Sequence, residues 1–196
     1  MNGYKYFKRL FDIIGATIAL VVFSPLFLFI YVRLKVSGNG SVFYQQERIG
    51  LGGRPFNIYK FRTMIVNTEA DGIPQLAEAN DERLTPFGKS LREHHLDELP
   101  QLWNVLKGDM SFVGPRPERQ YFIDKIIEHD SRYTLLYQIR PGVTSYATLY
   151  NGYTDTMEKM LRRLELDIYY LENRSWRFDL KILYRTFISI IFGKKF

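Results

Sequence analysis

The stretch Ile13 to Val32, IIGATIALVVFSPLFLFIYV, decides the fold class of this 196-residue chain. It contains no charged residue, and a helix of about 20 apolar residues is long enough to cross the hydrocarbon core of a bilayer. A secretory signal peptide has a shorter apolar region and a small-residue cleavage site, whereas Arg33, Leu34 and Lys35 follow this run. A helix buried in a soluble core is the weaker alternative. We therefore expect this stretch to enter a membrane.

The dipeptide Ser24-Pro25 lies in the middle of the apolar run. Proline removes a helical hydrogen bond and bends or breaks a helix at that point. A broken helix that enters and leaves by the same face is one arrangement, and a kinked full span is the other. Basic residues flank the run on both sides, so the bias of positive charge toward the cytoplasm gives a single span no clear orientation. They are Lys5, Lys8, Arg9, Arg33 and Lys35. We expect the re-entrant form, with residues 1–36 as the membrane segment.

The rest of the sequence predicts a mainly α-helical fold with a small β-sheet, in the α+β class. Residues 41–64 alternate between apolar and polar positions around the glycine-rich turn 50–53, which is typical of two short strands. Apolar residues at helical spacing, bounded by proline and glycine, predict helices at four places. The first helix begins within 89–93, and the second runs from Pro100 to Leu106 and stops at Gly108. The third covers 121–139 and the fourth covers 154–173.

Two further stretches have more than one interpretation. Residues 68–84 are polar and acidic, which indicates a surface loop or a short helix. The tail from Leu180 to Phe196 mixes apolar residues at helical spacing with lysine and arginine. That pattern predicts either an amphipathic helix in the membrane interface or a terminal helix packed on the soluble core, and it favours neither.

The composition narrows the chemistry and the partners. The chain contains no cysteine, which excludes a disulfide framework, a thiolate metal site and a cysteine nucleophile. The net charge of +6 favours acidic partners such as phosphorylated substrates, anionic lipids or nucleic acid. A nucleic-acid-binding protein is disfavoured, because the basic residues are spread along the chain and form no recognised nucleic-acid motif.

The densest group of chemically distinctive residues lies between His95 and Pro117. Together with the proline-broken segment, the motifs here and around it resemble the bacterial sugar transferase family, the monotopic phosphoglycosyl transferases, over nearly the whole chain. Each motif is weak alone, but their order behind the membrane segment is specific. They are Lys60-Phe61-Arg62-Thr63-Met64, Leu96 to Lys107, Gly114-Pro115-Arg116-Pro117, Arg140-Pro141-Gly142 and Asp179-Leu180-Lys181.

The resemblance implies an enzyme that moves a sugar-1-phosphate from a UDP-sugar to polyprenyl (undecaprenyl) phosphate and releases UMP, as the first membrane step of glycoconjugate assembly. Asp97 is expected to attack the sugar-linked phosphorus and to hold the phosphosugar covalently, since carboxylates act this way in aspartyl-phosphate enzymes. Glu98 is expected to hold Mg²⁺, which binds few carboxylates and keeps water and phosphate oxygens as other ligands.

The same resemblance implies a place in the cell and an architecture. The bacterial inner (cytoplasmic) membrane is the expected location, and the lipid bilayer is an expected partner. The architecture is a re-entrant membrane helix broken at Ser24-Pro25, interfacial amphipathic helices, and a catalytic domain of residues 37–196 that faces the cytoplasm.

Arg92 and Arg116 are candidates for contacts with phosphate. The guanidinium group is a planar fork of donors that matches phosphate oxygens and stays charged. Pro115 and Pro117 fix the backbone on either side of Arg116, which could aim its side chain at a substrate. A surface arginine on a rigid turn is the alternative interpretation of Arg116.

Four other residues near these motifs are open to more than one interpretation. Lys60 and Arg62 lie in a predicted strand near the donor, where they contact phosphate or nucleotide or simply face solvent. His94 and His95 invite a metal-site interpretation, but a zinc site would need carboxylates at spacings that the sequence lacks. A polar strand or loop is therefore the better interpretation of the two histidines.

Other functions and several details stay open. An Asp-Glu pair before a proline is often only a favourable helix N-terminus. A non-catalytic membrane scaffold of the same fold is one alternative, and a retaining glycosyl transferase, which would release UDP, is another. Ser145-Tyr146-Ala147-Thr148 stands where many relatives carry glycine and then glutamine, which leaves the donor sugar undecided. The polyprenyl chain length and a homodimer are also open.

Overall fold

The computed structural model describes residues 2–38, 40–65, 83–152 and 154–191, and it confirms the α+β class. The helices are α1 (Asn2–Val22), α2 (Ser24–Val36), α3 (Pro86–Glu93), α4 (Gln101–Lys107), α5 (Gln120–His129), α6 (Thr148–Asn151), α7 (Met157–Asn173) and α8 (Trp176–Ile191). The strands are β1 (Phe43–Ile49), β2 (Pro55–Phe61), β3 (Ser111–Val113) and β4 (Gly142–Thr144). Short 3₁₀ helices cover Leu51–Gly53, Leu96–Glu98 and Ser131–Gln138. Most of the polar stretch 68–84 lies outside the described residues.

The apolar segment is broken where Ser24-Pro25 predicts a break. Helix α1 ends at Val22 and α2 begins at Ser24, with Pro25 in the first turn, where proline costs no helical hydrogen bond. The two helices bend by 62°. In the part of the chain that the structure describes, no single helix has both the length and the apolar character to cross a bilayer, whereas α1 and α2 together meet both criteria. The segment is therefore two helices joined at a bend rather than one continuous helix.

Strands β1 and β2 form the antiparallel hairpin that the alternating sequence predicts, with Phe43 opposite Phe61. The rings of these two residues stack at 5.6 Å, and Phe27 of α2 lies 4.8 Å from Phe61. Aromatic pairs at such distances stabilise a packing contact beyond the burial of their area. The cluster fastens α2 to the hairpin, whose second strand carries Lys60.

Strands β3 and β4 form a parallel pair that was not predicted. Just after β3, the N–H of Gly114 donates to Thr144 O at 3.1 Å, and the N–H of Gly142 donates to Pro115 O at 2.9 Å. A Cβ at Gly114 would lie 2.4 Å from Arg140 O, and one at Gly142 would lie 2.2 Å from Gly114 N. Because only glycine permits so close a crossing, the two motifs that contain these glycines are held against each other.

Local signals set the ends of some helices and not of others. Helix α4 stops at Gly108, as predicted: its last residue is Lys107, and Gly108 has a φ of +96°. Helix α7 lies within the predicted range 154–173. The prediction of one helix over 121–139 is wrong, because α5 ends at His129 and a 3₁₀ helix follows. The carboxylate of Asp130 accepts a hydrogen bond from the backbone N–H of Arg132, and this bond starts a separate turn.

Helix α1 is joined to the rest of the protein by buried polar contacts. Asp12 is 2% exposed and accepts hydrogen bonds from Ser111 Oγ and Phe112 N, both at 3.0 Å. Arg9 donates to two carbonyl oxygens in the last turn of α4 at 2.6 and 2.7 Å. One of these carbonyls also accepts the N–H of the residue that follows α4, at 3.2 Å, so Arg9 adds to the hydrogen bonds at the C-terminal end of the helix. The first helix of the apolar segment is thus fixed to α4 and β3.

Helix α8 begins at Trp176, before the predicted start of the tail helix. Its Ile182 is 1% exposed and packs with Val113 and Tyr170. The opposite side presents an exposed apolar stripe at helical spacing, formed by Trp176, Leu180, Tyr184 and Phe187. The helix therefore packs on the core by one side and leaves an apolar stripe uncovered on the other.

Candidate active site

Asp97 and Glu98, here called the acidic pair, lie in the 3₁₀ turn between α3 and α4. His95, just before this turn, has a φ of 54°, which residues other than glycine seldom adopt. Both acidic side chains are largely withdrawn from solvent: Asp97 is 5% exposed, and the side chain of Glu98 is 12% exposed. Burying carboxylates is costly unless cations or hydrogen-bond donors accompany them.

Two cations from separate parts of the chain meet at Glu98. The Nζ atom of Lys60, in β2, lies 2.6 Å from Glu98 Oε1 and 3.9 Å from Asp97 Oδ2. The Nη2 atom of Arg116 lies 3.0 Å from the same Glu98 oxygen. Four of the residues singled out from the sequence are therefore brought together in one place.

The two carboxyls of the pair have different electrostatic environments. Burial raises the pKa of Glu98, but the cations of Lys60 and Arg116 lower it by more, so its pKa lies well below the usual range. Burial also raises the pKa of Asp97; Lys60 opposes this and the charge of Glu98 adds to it, so its pKa lies above the usual range. Neighbouring carboxyls with separated pKa values are suited to separate roles.

Arg92 flanks the acidic pair from α3. A Cβ at Gly88 would lie 2.0 Å from Thr63 O, so α3 crosses the end of the hairpin at a distance that only glycine permits. One turn later, Arg92 Nε donates to Thr63 Oγ1 at 3.0 Å. The charge of Arg92 lowers the pKa of Asp97, which partly offsets the effect of burial.

Arg62 lies away from the acidic pair. Its Nη2 atom donates to Leu34 O and to Ser37 Oγ, both at 3.1 Å, at the end of α2. The residue is 9% exposed. Arg62 therefore joins the end of α2 to the hairpin, and its contacts are those of a structural tie. His94 is exposed, and its Nδ1 lies 2.9 Å from Ser90 O, in agreement with the loop interpretation.

Asn104 belongs to the site and was not singled out from the sequence. It is fully buried in α4, where its Oδ1 accepts from Tyr59 N at 3.1 Å and its Nδ2 donates to Asn57 O at 2.7 Å. These bonds fix α4 to β2 immediately before Lys60. The signal for it was a polar residue between the apolar Leu102 and Val105 on a predicted helix.

A buried ionic cluster behind Arg116 was also not predicted. Glu118 pairs with Arg163 of α7 at 2.6 Å and with Arg48 of β1 at 3.3 Å. Burial raises the pKa of Glu118, and these arginines lower it by more. Asp167 lies one turn beyond Arg163, where burial raises its pKa to about 8. Its Oδ1 has no hydrogen-bond partner within the described ranges.

The acidic pair is the candidate metal site. Among the residues that the structure describes, no group of three or more His, Cys, Asp and Glu side chains is arranged to hold a metal. A cage built from protein ligands alone is therefore not supported in this part of the chain. Mg²⁺ commonly uses one or two carboxylates and completes its shell with water and substrate phosphate, and two adjacent carboxylates fit that pattern.

A family model described as bacterial sugar transferase matches residues 3–193. The chain belongs to this family. The match covers the broken apolar segment, the hairpin, the acidic pair and α8, so the resemblance seen in the sequence motifs is confirmed over nearly the whole chain.

Curated relatives of this bacterial sugar transferase carry specific names. The UDP-N-acetylgalactosamine-undecaprenyl-phosphate N-acetylgalactosaminephosphotransferase of Aeromonas hydrophila is 41% identical over 190 residues, which cover 97% of this chain and 45% of the relative. The UDP-glucose:undecaprenyl-phosphate glucose-1-phosphate transferase of Klebsiella pneumoniae is 42% identical over 189 residues, or 95% of this chain and 40% of the relative. The protein of the same name in Caulobacter vibrioides is 41% identical over 187 residues, which cover 94% of this chain and 69% of the relative. The chain thus spans less than half the length of the first two relatives.

Proposed function

We propose that this chain transfers a sugar-1-phosphate from a UDP-sugar to undecaprenyl phosphate and releases UMP, at the start of a bacterial polysaccharide or other glycoconjugate. The observation that carries this is the buried Asp97 beside a Glu98 that two cations neutralise. The relatives are named for two different sugars at almost equal identity, 41% and 42%, which favours neither sugar.

The reaction proceeds in two displacements at one phosphorus. An oxygen of the Asp97 carboxylate bonds to the sugar-linked phosphorus, the bond from that phosphorus to the bridging oxygen breaks, and UMP leaves with the electron pair. An oxygen of undecaprenyl phosphate then attacks the same phosphorus, and the Asp97 carboxylate departs unchanged. A covalent intermediate suits a soluble donor and a membrane-bound acceptor, because the two can use the site in turn.

Lys60 and Arg116 stabilise the charge that develops during transfer. Phosphoryl transfer depends mainly on positioning and on electrostatic stabilisation of the equatorial and leaving oxygens. Both cations already lie within 3.0 Å of Glu98 Oε1 and need little reorganisation to contact a diphosphate that enters there. Arg92, whose charge acts on Asp97, is suited to a second phosphate contact.

Mg²⁺ is the proposed cofactor, with Glu98 as its protein ligand beside Asp97. When bound, the metal would neutralise charge on the donor diphosphate. We expect excess chelator to stop UMP release and added Mg²⁺ to restore it. Full activity in excess chelator would remove this role from Glu98.

Membrane attachment is proposed through the bent pair α1–α2, as a re-entrant segment with its break at Ser24-Pro25, and through the exposed stripe of α8. A re-entrant segment explains why basic residues stand at both ends of the apolar run. Aromatic side chains such as those of the α8 stripe favour the membrane–water interface. The proposed location is the cytoplasmic face of the bacterial inner membrane, where UDP-sugars and the acceptor headgroup meet.

The decisive experiment measures UMP release by detergent-purified protein that is given undecaprenyl phosphate, Mg²⁺ and a panel of UDP-sugars. Asp97→Asn is assayed in parallel, with Asp124→Asn on the exposed surface of α5 as the matched control. We expect UMP from at least one donor, retained in Asp124→Asn and lost in Asp97→Asn. Release of UDP would indicate sugar transfer instead, and a folded protein that releases neither nucleotide would indicate a non-catalytic scaffold.

A further inference from the structure

The backbone on both sides of Arg116 is tied to other parts of the chain. On one side, Pro115 O accepts the N–H of Gly142 at 2.9 Å. On the other side, Pro117 O accepts a hydrogen bond from Nη1 of Arg48 at 3.1 Å. The two proline rings restrict the backbone further. The path of the chain through Arg116 is thus set by one backbone contact and one side chain.

Arg48 is itself held in place by the buried cluster. The nitrogen that binds Pro117 O also donates to Glu118 Oε2 at 3.3 Å, and the other terminal nitrogen donates to Gln46. The second oxygen of Glu118 pairs with Arg163 of α7 at 2.6 Å. The backbone N–H that follows Arg48 in β1 donates to Glu118 O at 3.0 Å. Strand β1 and the segment after Arg116 are therefore joined by both side-chain and backbone contacts.

Stability alone is a weak reason for this cluster. Both Glu118 and Arg163 are less than 9% exposed, and apolar residues of similar volume often stabilise a protein as much as a buried ion pair does. Arg48 has the same sign of charge as Arg116, so it does not attract that residue. What the cluster provides is a fixed position for the carbonyl of Pro117, next to the residue that reaches Glu98.

We infer that Arg48 is a positioning residue for phosphoryl transfer, which holds the Pro115-Arg116-Pro117 segment so that Arg116 reaches Glu98 and the substrate phosphate. The inference rests on the proposed function, because that proposal assigns the phosphate contact to Arg116. It goes beyond that proposal because it gives Arg48 an effect on the rate of transfer, although Arg48 contacts neither the acidic pair nor the substrate.

The test is a double-mutant cycle on the full chain, with the kcat of UMP release as the readout. Arg48→Met removes the guanidinium and keeps an unbranched stem in its place. We expect kcat to fall by about 10²-fold, the size of effect that a displacement of about 1 Å can have on a reacting group. In an Arg116→Ala background the same change should lower kcat by less than about twofold, because interacting residues are non-additive. If the loss of kcat in the double variant equals the product of the two single losses, the inference is wrong.

Two further variants separate positioning from stability. Ile126→Ala truncates a buried side chain of α5 and should lower the melting temperature while leaving the kcat of the folded protein unchanged. If Arg48→Met behaves in the same way as Ile126→Ala, the role of Arg48 is structural and the inference is wrong. If Arg48→Met does not fold, Arg48→Lys replaces it in the cycle, with an expected loss of at least about tenfold that again requires Arg116. A wild-type protein that releases no UMP would instead count against the proposed function.

Discussion

The ammonium nitrogen of Lys60 lies 2.6 Å from Oε1 of Glu98, so a strand of the hairpin neutralises one carboxyl of the acidic pair. The same nitrogen is 3.9 Å from Asp97 Oδ2, and its charge lowers the pKa of both acids against the effect of burial. Its position depends on Asn104, which joins α4 to β2. The ionisation of the proposed nucleophile is therefore linked to the placement of the hairpin.

Replacing Lys60 by methionine should lower activity and change its pH dependence. Without the cation, the pKa values of Asp97 and Glu98 both rise, so a larger fraction of each is protonated at a given pH. We expect UMP release near neutral pH to fall by about 10²-fold, the size typical of losing one electrostatic donor. The acid limb of the pH–rate profile should move to higher pH. Lys107→Met, at an exposed lysine paired with Asp109, is the control, and an unmoved acid limb in Lys60→Met would contradict the assignment.

Asp97→Asn should abolish turnover without loss of stability. The pKa of Asp97 is raised in the folded protein, so its ionisation opposes folding increasingly as pH rises from the pKa of the unfolded residue through that of the folded one, and has no such effect at low pH. A neutral asparagine removes this opposition. Thermal unfolding in detergent at pH 7.5 should therefore give a midpoint equal to or above that of the wild type, with the difference vanishing under acid conditions. A clear drop in the midpoint at pH 7.5, with Asp124→Asn unchanged, would show that the Asp97 carboxylate stabilises the fold.

Short-range sequence signals account for much of the fold. Pro25 predicted the break between α1 and α2, Gly108 predicted the end of α4, and the alternation in residues 41–64 predicted the hairpin. Each of these depends on residues that are close in the chain. The helix predicted over 121–139 failed for a local reason as well, because the side chain of Asp130 competes for a backbone N–H.

The assembly of the site could not be predicted from the sequence in the same way, because it depends on contacts between residues that are distant in the chain. Strand alternation would place Lys60 and Arg62 on one face, but β2 ends at Phe61 and Arg62 turns to the end of α2. The bonds of Asn104 to β2, and the cluster around Glu118, follow from packing that no spacing encodes. Family resemblance suggested residues for the site, while the structure supplies the contacts that hold them.

Asp167 should make the protein less stable as pH rises. Its pKa is raised to about 8 by burial, whereas an unfolded aspartate titrates near pH 4. Between these values the folded state binds a proton that the unfolded state has released, so the free energy of unfolding falls by up to about 1.4 kcal/mol per pH unit. Asp167→Asn should flatten this dependence, as measured by unfolding midpoints from pH 5 to 9. If the unfolding midpoint depends on pH equally in Asp167→Asn and in the wild type, another group is responsible for the dependence.

Glu118→Gln should destabilise the protein strongly. The variant leaves Arg48 and Arg163 without their shared carboxylate, and removing one partner of a buried ion pair costs about 3–5 kcal/mol. Because the pKa of Glu118 is lowered, its stabilisation is present above the unfolded pKa and is lost as pH falls through the folded pKa. The difference in unfolding midpoint should therefore shrink in acid. Glu128→Gln, exposed on α5, should change stability by less than about 0.5 kcal/mol, and an equally small effect of Glu118→Gln would contradict the ionic cluster.

The topology of the bent pair α1–α2 is open to direct measurement, because the chain has no cysteine of its own. Single-cysteine variants Lys5→Cys and Lys35→Cys place one thiol before the apolar run and one after it, and Glu128→Cys marks the catalytic side. A membrane-impermeant maleimide should label all three in inverted membrane vesicles and none in intact spheroplasts, because a re-entrant segment returns both ends to the cytoplasmic face. A full span would put the two flanking thiols on opposite faces. The re-entrant assignment would be wrong if Lys5→Cys were labelled from outside while Lys35→Cys and Glu128→Cys were labelled only from inside. The catalytic domain would still face the cytoplasm in that case.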